Sequence, residues 1–274
     1  MRNGLSFKLP LLILILWALL AAVAQYLPLQ PDRIQLEQIL AVPGEATVLG
    51  HDDLGRSIAD RMIVGARTSF LVSVWVVGLS LLAGTLLGTV TAYHGGWWDR
   101  VAVLVVDVFL AFPGILLAIA LAGLLGPGIG NVVIALTIVG WVGYARLSRA
   151  QVLSLKHREH VQAAEALGSS RWRIIWKHLL PMMAAPLIIE ATFGIAAVVI
   201  AEAGLSFLGL GVQPPGASWG AMIRDGTRYM LVAPHMVMAP GMAILAVVLS
   251  VNLLGDRLRD KLDTRMMTET RDRP

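Results

Sequence analysis

The sequence predicts an all-α integral membrane protein with six transmembrane helices. Of the 274 residues, 57% are hydrophobic and only 15% are charged, and the mean hydropathy is +0.72. A soluble domain has about 45–50% apolar residues with glycine included and about 25% charged residues. A net charge of only +4 in so apolar a chain excludes disorder. The lack of cysteine excludes a disulfide scaffold, thiolate chemistry and cysteine-based metal sites.

Six stretches are long and apolar enough to cross a bilayer. A span needs about 20 apolar residues, because the hydrocarbon layer is about 30 Å thick and a helix rises about 1.5 Å per residue. The turn-forming residues 126–131 divide the third span from the fourth. Pro181 suits the first position of the fifth span, and Pro113 predicts a kink in the third. The predicted spans are residues 9–31, 68–98, two spans within 101–145, 181–199 and 234–254.

The distribution of basic residues predicts that both termini are cytoplasmic. Lys and Arg in short loops are retained on the cytoplasmic side, and an even number of spans puts both ends on one side. With the termini inside, most basic residues fall in the cytoplasm, and many of them lie in the 145–180 loop. The opposite side then holds only Arg33, Arg56, Arg61, Arg67, Arg224 and Arg228.

The N-terminus has a second interpretation. Arg2 and Lys8, the apolar run 11–20 and the small residues 22–24 also fit a cleaved signal peptide. We favour a retained span, because the apolar stretch is longer than a usual signal core. Cleavage would leave five spans with the C-terminus still inside.

The long loop 145–180 predicts two helices on the membrane surface. From His160 onward, apolar residues recur at helical spacing, and a Gly-Ser-Ser turn interrupts them at 168–170. Ser170 is placed to cap the second helix. From spacing alone, an amphipathic connector lying on anionic lipid explains the loop equally well. The apolar positions are Val161, Ala164, Leu167, Trp172, Ile175, Trp176 and Leu179.

Part of this loop resembles the cytoplasmic coupling loop of binding-protein-dependent ABC importer permeases. The family motif is Glu-Ala-Ala, three residues, Gly, nine residues, Ile, one residue, Leu-Pro. Two positions depart from it: Gln162 replaces the Glu, which removes a negative charge, and His178 replaces the Ile. The positions that the resemblance assigns to ATPase coupling are Gln162, Ala163, Ala164, Gly168, Leu180 and Pro181.

Three further stretches resemble the dipeptide, oligopeptide and nickel permeases of that family. They are residues 49–56 (LGHDDLGR, with His51 where Thr is usual), 203–220 and 252–260 (NLLGDRLRD). The resemblance implies a type I ABC importer permease fold with cytoplasmic coupling helices. It implies four regions: an N-terminal tail and first span (1–31), an external segment (32–67), a permease core with five spans and the coupling loop (68–254), and a cytoplasmic tail (255–274).

The same resemblance implies a transport mechanism that depends on other chains. No Gly-x-x-x-x-Gly-Lys-Ser/Thr loop occurs, so the sequence predicts neither ATP binding nor catalysis on this chain and no cofactor of its own. ATP and Mg²⁺ are expected on two partner ATPase subunits. A second homologous permease subunit, an extracytoplasmic substrate-binding protein and the bilayer are the other expected partners, with no nucleic acid. The expected location is the bacterial cytoplasmic (inner) membrane.

Alternating access is the mechanism that the resemblance implies. ATP binding closes the ATPases, which move the coupling helices and rock spans two to six. The expected cargo is a dipeptide or oligopeptide; nickel or another small solute is the alternative within the family. An ion-driven secondary transporter would show inverted repeats, and a membrane enzyme would need a catalytic motif or paired carboxylates. Neither feature is evident in the sequence.

Three acidic residues in or near the spans are candidates for the translocation path or a gate. A charged side chain near the bilayer centre costs about 2.5–3.5 kcal/mol. Asp107 is expected to form a structural ion pair or hydrogen bond, and Glu190, near the middle of span five, to face the interior or a watery path. Glu202 is expected near the outer mouth.

The segments 32–67 and 202–228 are too long for simple turns. We expect them to fold back into a surface that docks the binding protein. The six histidines lie on both sides of the membrane, and no two in one span have ligand spacing, so metal transport is neither supported nor excluded.

Overall fold

The computed structural model describes residues 5–44 and 47–271, with side chains from 8 to 262 outside the same gap. Within these residues the secondary structure consists of helices, turns and two isolated β-bridges. The all-α fold class is therefore confirmed. The helices are α1 (Leu5–Val23), α2 (Ile58–His94), α3 (Gly96–Leu110), α4 (Gly114–Leu125), α5 (Ile129–Leu155), α6 (Glu159–Ala166), α7 (Arg171–Ile174), α8 (Leu180–Phe207), α9 (Trp219–Thr227) and α10 (His235–Arg271).

Each of the six predicted apolar stretches contains a helix or a bent helix pair. By length and composition, four helical stretches of the described chain can cross a membrane, and α3 with α4 raises this number to five. The remaining apolar helix, α1, is shorter than these over its described side chains, Lys8–Val23. The four stretches are Ile58–His94, Ile129–Leu155, Arg171–Phe207 and His235–Leu262.

The third span is sharply bent. Helices α3 and α4 meet at an angle of 86° across a short break that contains Pro113. Proline removes a backbone donor and clashes with the carbonyl four residues earlier, which breaks a helix. The kink predicted at Pro113 is thus a complete break.

The helices contribute to two compact units, which we describe separately. The first unit contains the chain up to Trp75, Ala118–Leu136 and Ile195–Leu254. Its core is built around Trp17 of α1, whose ring stacks on Trp219 at 6.2 Å and meets Phe70 edge-on at 5.2 Å. The indole N–H of Trp17 donates to the Ala66 carbonyl at 3.0 Å, so α1 is fixed to α2 by packing and by a buried hydrogen bond.

The second unit contains Val76–Leu117, Thr137–Gly194 and the chain from Gly255 onward. Here α2 and α5 pack closely because Gly84 and Gly88 face the backbone of α5. A Cβ at either glycine would overlap the carbonyl oxygen of Trp141 or Ala145. Small residues at such contacts let transmembrane helices approach each other.

Candidate functional site

Helix α6 presents one buried face and one open face. Val161 is fully buried and Ala164 is 8% exposed, whereas Gln162 and Ala163 between them are exposed. This division follows from the helical period, which separates adjacent residues by about 100° around the axis. The two alanines of the motif therefore differ: Ala164 packs α6 onto the protein, whereas Ala163 is exposed together with Gln162, Glu165 and Ala166.

The turn after α6 requires glycine and exposes a leucine. Gly168 has φ +78, and its N–H donates to the Glu165 carbonyl at 2.9 Å. An L-residue in the left-handed region costs about 1–2 kcal/mol. Leu167, one of the apolar positions at helical spacing in this loop, is 87% exposed. Trp172 and Trp176, two further apolar positions of the loop, are exposed as well.

The second helix of the loop begins at the predicted cap and continues directly into the fifth span. Ser170 accepts a hydrogen bond from the Arg173 N–H at 3.3 Å, which confirms the cap. The helix then runs without a break to Phe207. The expected helix start at Leu180-Pro181 is wrong: the Leu180 N–H donates to the Ile175 carbonyl, and residues 175–179 form a π-helical turn. Single π-helical turns of this kind occur within longer α-helices and interrupt their regular hydrogen-bonding pattern by one residue.

A hydrogen bond absent from the predicted motif ties α6 to the C-terminal end of α2. The Tyr93 hydroxyl donates to Glu165 Oε1 at 2.5 Å, across 72 positions of sequence. A hydrogen bond to a carboxylate is stronger than one between neutral groups. Tyr93 and Glu165 were not predicted as site residues, because a contact between distant segments leaves no periodic signal in one sequence.

Tyr93→Phe is expected to loosen α6 while leaving the fold intact, because the ring is kept and only the hydroxyl is lost. The loss of one hydrogen bond to a charged group corresponds to about 1.5–3 kcal/mol. We expect faster hydrogen exchange in residues 159–168 and little change in melting temperature. Glu165→Gln, which keeps an acceptor, should have a smaller effect. Unchanged exchange in Tyr93→Phe would contradict the role of this contact.

A cleft in the second unit contains two of the predicted acidic residues. It is a cleft of ≈ 600 Å³ between α2, α3, α5 and α8, with Asp107 and Glu190 in its wall. Glu190 lies against Gly143: a Cβ added to Gly143 would be 3.6 Å from the Glu190 Oε1 atom. The other lining residues are Leu87, Gly88, Thr91, Ala102, Val103, Val106, Trp141, Ala145, Arg146, Leu147, Arg149 and Ala150.

The structural pairing expected for Asp107 is not formed. Within the described part of the chain, Asp107 has no hydrogen bond or ion pair from its side chain. Instead Asp99, two turns earlier on α3, accepts two bonds from Arg149, at 2.7 Å from Nε and 2.9 Å from Nη2. Because Arg149 is already paired, Asp107 remains open to the cleft.

Glu202 lies in the protein interior, in the first unit. Its side chain is fully buried and accepts hydrogen bonds from Ser69 at 3.0 Å and Ser206 at 2.7 Å. Buried polar groups need such partners. Glu202 therefore joins α2 and α8, and its predicted place at a gate stays a prediction.

The Asp-Asp-Leu-Gly-Arg stretch forms a charged cluster that holds the segment between α1 and α2. Asp52 accepts from the Arg56 Nε atom at 2.7 Å and from the Leu54 and Arg56 backbone N–H groups. Burial and the neighbouring Asp52 raise the pKa of the Asp53 carboxyl, although Arg56 partly offsets this. Asp52 and Arg56 are close in sequence because their side chains bind each other and the backbone of the same turn.

Arg61 completes the cluster and was not predicted as a site residue. It is 2% exposed, and its guanidinium lies 3.6 Å from Asp52 and 3.7 Å from Asp32. It also donates to the carbonyls of Pro31 and Pro215 at 3.3 and 3.2 Å. These bonds let α2 begin at Ile58, before the charge-free stretch that starts at Thr68.

The chain belongs to the family of binding-protein-dependent transport system inner membrane components, whose family model matches residues 84–268. The matched region includes α6, the loop after it and the cleft. The protein is thus an inner membrane permease component of an ABC transporter.

Two relatives match most of the chain. The glutathione transport system permease protein GsiD of Pectobacterium atrosepticum is 38% identical over 268 residues, which cover 97% of this chain and 89% of the relative. The dipeptide transport system permease protein DppC of Alkalihalophilus pseudofirmus is 44% identical over 217 residues, covering 79% and 71%.

A solved structure shares the fold. One chain of the MetNI methionine ABC transporter, in an inward-facing conformation, matches with a TM-score of 0.59 and 18% identity. The match covers 73% of this chain and 95% of the other. At this identity the likeness shows the fold alone, which is the type I permease fold.

Proposed function

We propose that this chain is the permease subunit through which an ATP-driven importer moves small peptides into the cytoplasm. The observation that carries the proposal is α6, a short helix with a buried face that fixes it and an exposed face that carries Gln162 and Ala163, next to the exposed Leu167. In a chain of this family, the open face is where a partner ATPase would bind. Gln162, Ala163 and Gly168 would line that contact, whereas Ala164, Leu180 and Pro181 would position it.

The proposed cargo is a small peptide with a free amino group and a free carboxylate. The two relatives described above are named for glutathione and dipeptide transport, and both cargo types carry these two groups. The cleft of ≈ 600 Å³ is large enough for a dipeptide and has charged and apolar walls. Asp107 and Glu190 are the proposed path residues.

The proposed assembly has two ATPase subunits, a second permease subunit and an external binding protein. Both termini and α6 lie in the cytoplasm, which the excess of Lys and Arg on that side supports. The binding protein docks on the opposite side, on the folded segment between α1 and α2 and on α9. The Asp52–Arg56–Arg61 cluster and Glu202 keep that surface rigid.

Transport would proceed by alternating access. Closure of the ATPases on ATP and Mg²⁺ displaces α6, and the displacement reaches the spans by two routes. One is the continuous helix from Arg171 to Phe207, and the other is the Tyr93–Glu165 hydrogen bond to α2. Because a continuous helix and a short hydrogen bond are stiff, a displacement of α6 would displace the attached spans as well.

Uptake of a radiolabelled dipeptide into proteoliposomes tests the proposal. With the whole transporter and its binding protein present, we expect uptake that requires ATP on the ATPase side. A substitution that abolishes ATP hydrolysis in the partner should stop uptake. Uptake that persists without ATP and follows an ion gradient would contradict the proposal and favour a secondary transporter.

A further inference from the structure

We propose that the cleft in the second unit is a binding site for both ends of a zwitterionic cargo. In this site Glu190, assisted by Asp107, holds the amino group, and Arg146 holds the carboxylate. The inference rests on the proposed function, because it names the chemistry that the cleft recognises during transport. It makes this chain, and not only the external binding protein, selective for peptides with two free ends.

The first argument is the charge left open in the cleft. Arg149 is used by Asp99, through bonds of 2.7 and 2.9 Å. Among the residues that the structure describes, the side chains of Asp107, Arg146 and Glu190 form no ion pair with one another or with a neighbour. Charged side chains within a transmembrane bundle almost always face its interior or a watery cavity and mark substrate or ion pathways. The cleft therefore has both acidic and basic side chains without an ion-pair partner, so a ligand that carries a cation and an anion can pair with both.

The second argument is the spacing of the two charges. Glu190 lies beside Gly143 of α5, where an added Cβ would be 3.6 Å from the Glu190 Oε1 atom. Arg146 also lines the cleft and follows Gly143 by three residues, which is about 4.5 Å along a helix axis. The long, flexible arginine side chain can place its guanidinium at a range of distances from Glu190. The two ends of an extended dipeptide are roughly 7 Å apart, since each residue spans about 3.3–3.6 Å.

The third argument is the chemistry of the remaining wall. Away from these charges the lining is mainly apolar and includes Leu87, Val103, Val106 and Trp141. Apolar walls accept side chains of different shape without directional bonds, and a few placed polar groups fix orientation. Such a cleft discriminates strongly at the two ends of a peptide and weakly between its side chains.

Capped peptides separate the two charges experimentally. The assembled transporter is purified in detergent without binding protein, and binding of radiolabelled Ala-Phe, N-acetyl-Ala-Phe and Ala-Phe amide is measured. The wild type should prefer Ala-Phe by about tenfold or more over either capped peptide, the ratio expected for one charge-assisted hydrogen bond. Glu190→Gln should remove the preference over the acetylated peptide only. Arg146→Gln should remove the preference over the amide only, and Asp107→Asn should weaken the first preference in part.

The same three peptides are used to test the control variants and to identify the results that would contradict the inference. Asp256→Asn and Arg100→Gln alter exposed residues outside the cleft and should leave all three affinities unchanged. Equal losses for all three peptides in the cleft variants would show a structural role and overturn the inference. So would equal binding of free and capped peptides by the wild type, as expected if a partner subunit covers these charges.

The uptake assay keeps this inference separate from the proposed function. Normal ATP-driven uptake by Glu190→Gln and Arg146→Gln, together with unchanged peptide preference, would overturn the site and leave the permease function standing. Absence of ATP-driven peptide uptake in the wild-type transporter would overturn the proposed function itself.

Discussion

Ala163→Arg and Leu167→Arg are expected to prevent the ATPase subunits from binding. Both side chains are exposed, Leu167 to 87%, so neither substitution disturbs the packing of α6. In a docked complex, each arginine would replace a small or apolar contact with an unpaired charge. A buried unpaired charge at an interface typically costs about 2–5 kcal/mol, so affinity should fall about thirtyfold to several thousandfold. The measurement is the amount of ATPase subunit that co-purifies with the permease.

Two further variants separate docking from folding. Ala164→Arg changes the buried neighbour, which is 8% exposed, and should lower the yield of folded permease itself. Glu159→Gln, at the exposed start of α6, should leave both yield and association unchanged. Gly168→Asp should retain the fold, since no atom lies within 4 Å of an added Cβ, but should weaken association through the strained turn. Normal co-purification with Leu167→Arg would show that this face is not the docking surface.

Arg61→Met is expected to release the segment between α1 and α2. The substitution keeps much of the side-chain volume but removes the cation near Asp52 and Asp32 and the donor to two proline carbonyls. Loss of one member of a buried ion pair costs about 3–5 kcal/mol. Hydrogen exchange in residues 47–57 should therefore rise strongly, because local opening becomes more frequent.

The control for this experiment is Arg33→Met in the same segment. Arg33 is exposed, and among the residues that the structure describes its side chain bonds only Gln30, also at the surface, at 2.9 Å. Exposed interactions of this kind contribute little, about 0–1 kcal/mol. Equal exchange in Arg61→Met and Arg33→Met would mean that the Asp52–Arg56–Arg61 cluster does not hold the segment in place.

The fold class and the coupling loop were readable from the sequence because both depend on local patterns. Long apolar stretches predict spans whatever their neighbours are. The Gln-Ala-Ala stretch, Gly168 and the cap at Ser170 also lie within one short segment, and the structure confirms the turn and the cap. Family membership followed from the same motifs and is confirmed.

The features that the sequence did not reveal depend on contacts between distant residues. Arg61 is one of six basic residues on the predicted outer side, and nothing in the sequence showed that carboxylate and carbonyl oxygens from other segments bind it inside α2. Leu167 is one of the apolar positions at helical spacing, but α6 ends at Ala166 and Leu167 is 87% exposed. Asp107 was expected to form a structural ion pair or hydrogen bond, but Arg149 binds Asp99 instead.

Cross-linking from single cysteines tests most directly whether α6 is the contact through which a partner ATPase drives this permease. The chain has no cysteine, so each introduced thiol is unique. In the assembled transporter, Leu167→Cys should cross-link to an ATPase subunit, with a yield that changes when ATP is added. Ala164→Cys, on the buried face, should give little product. Cross-links from neither position to an ATPase subunit in an active, fully assembled transporter would contradict the account.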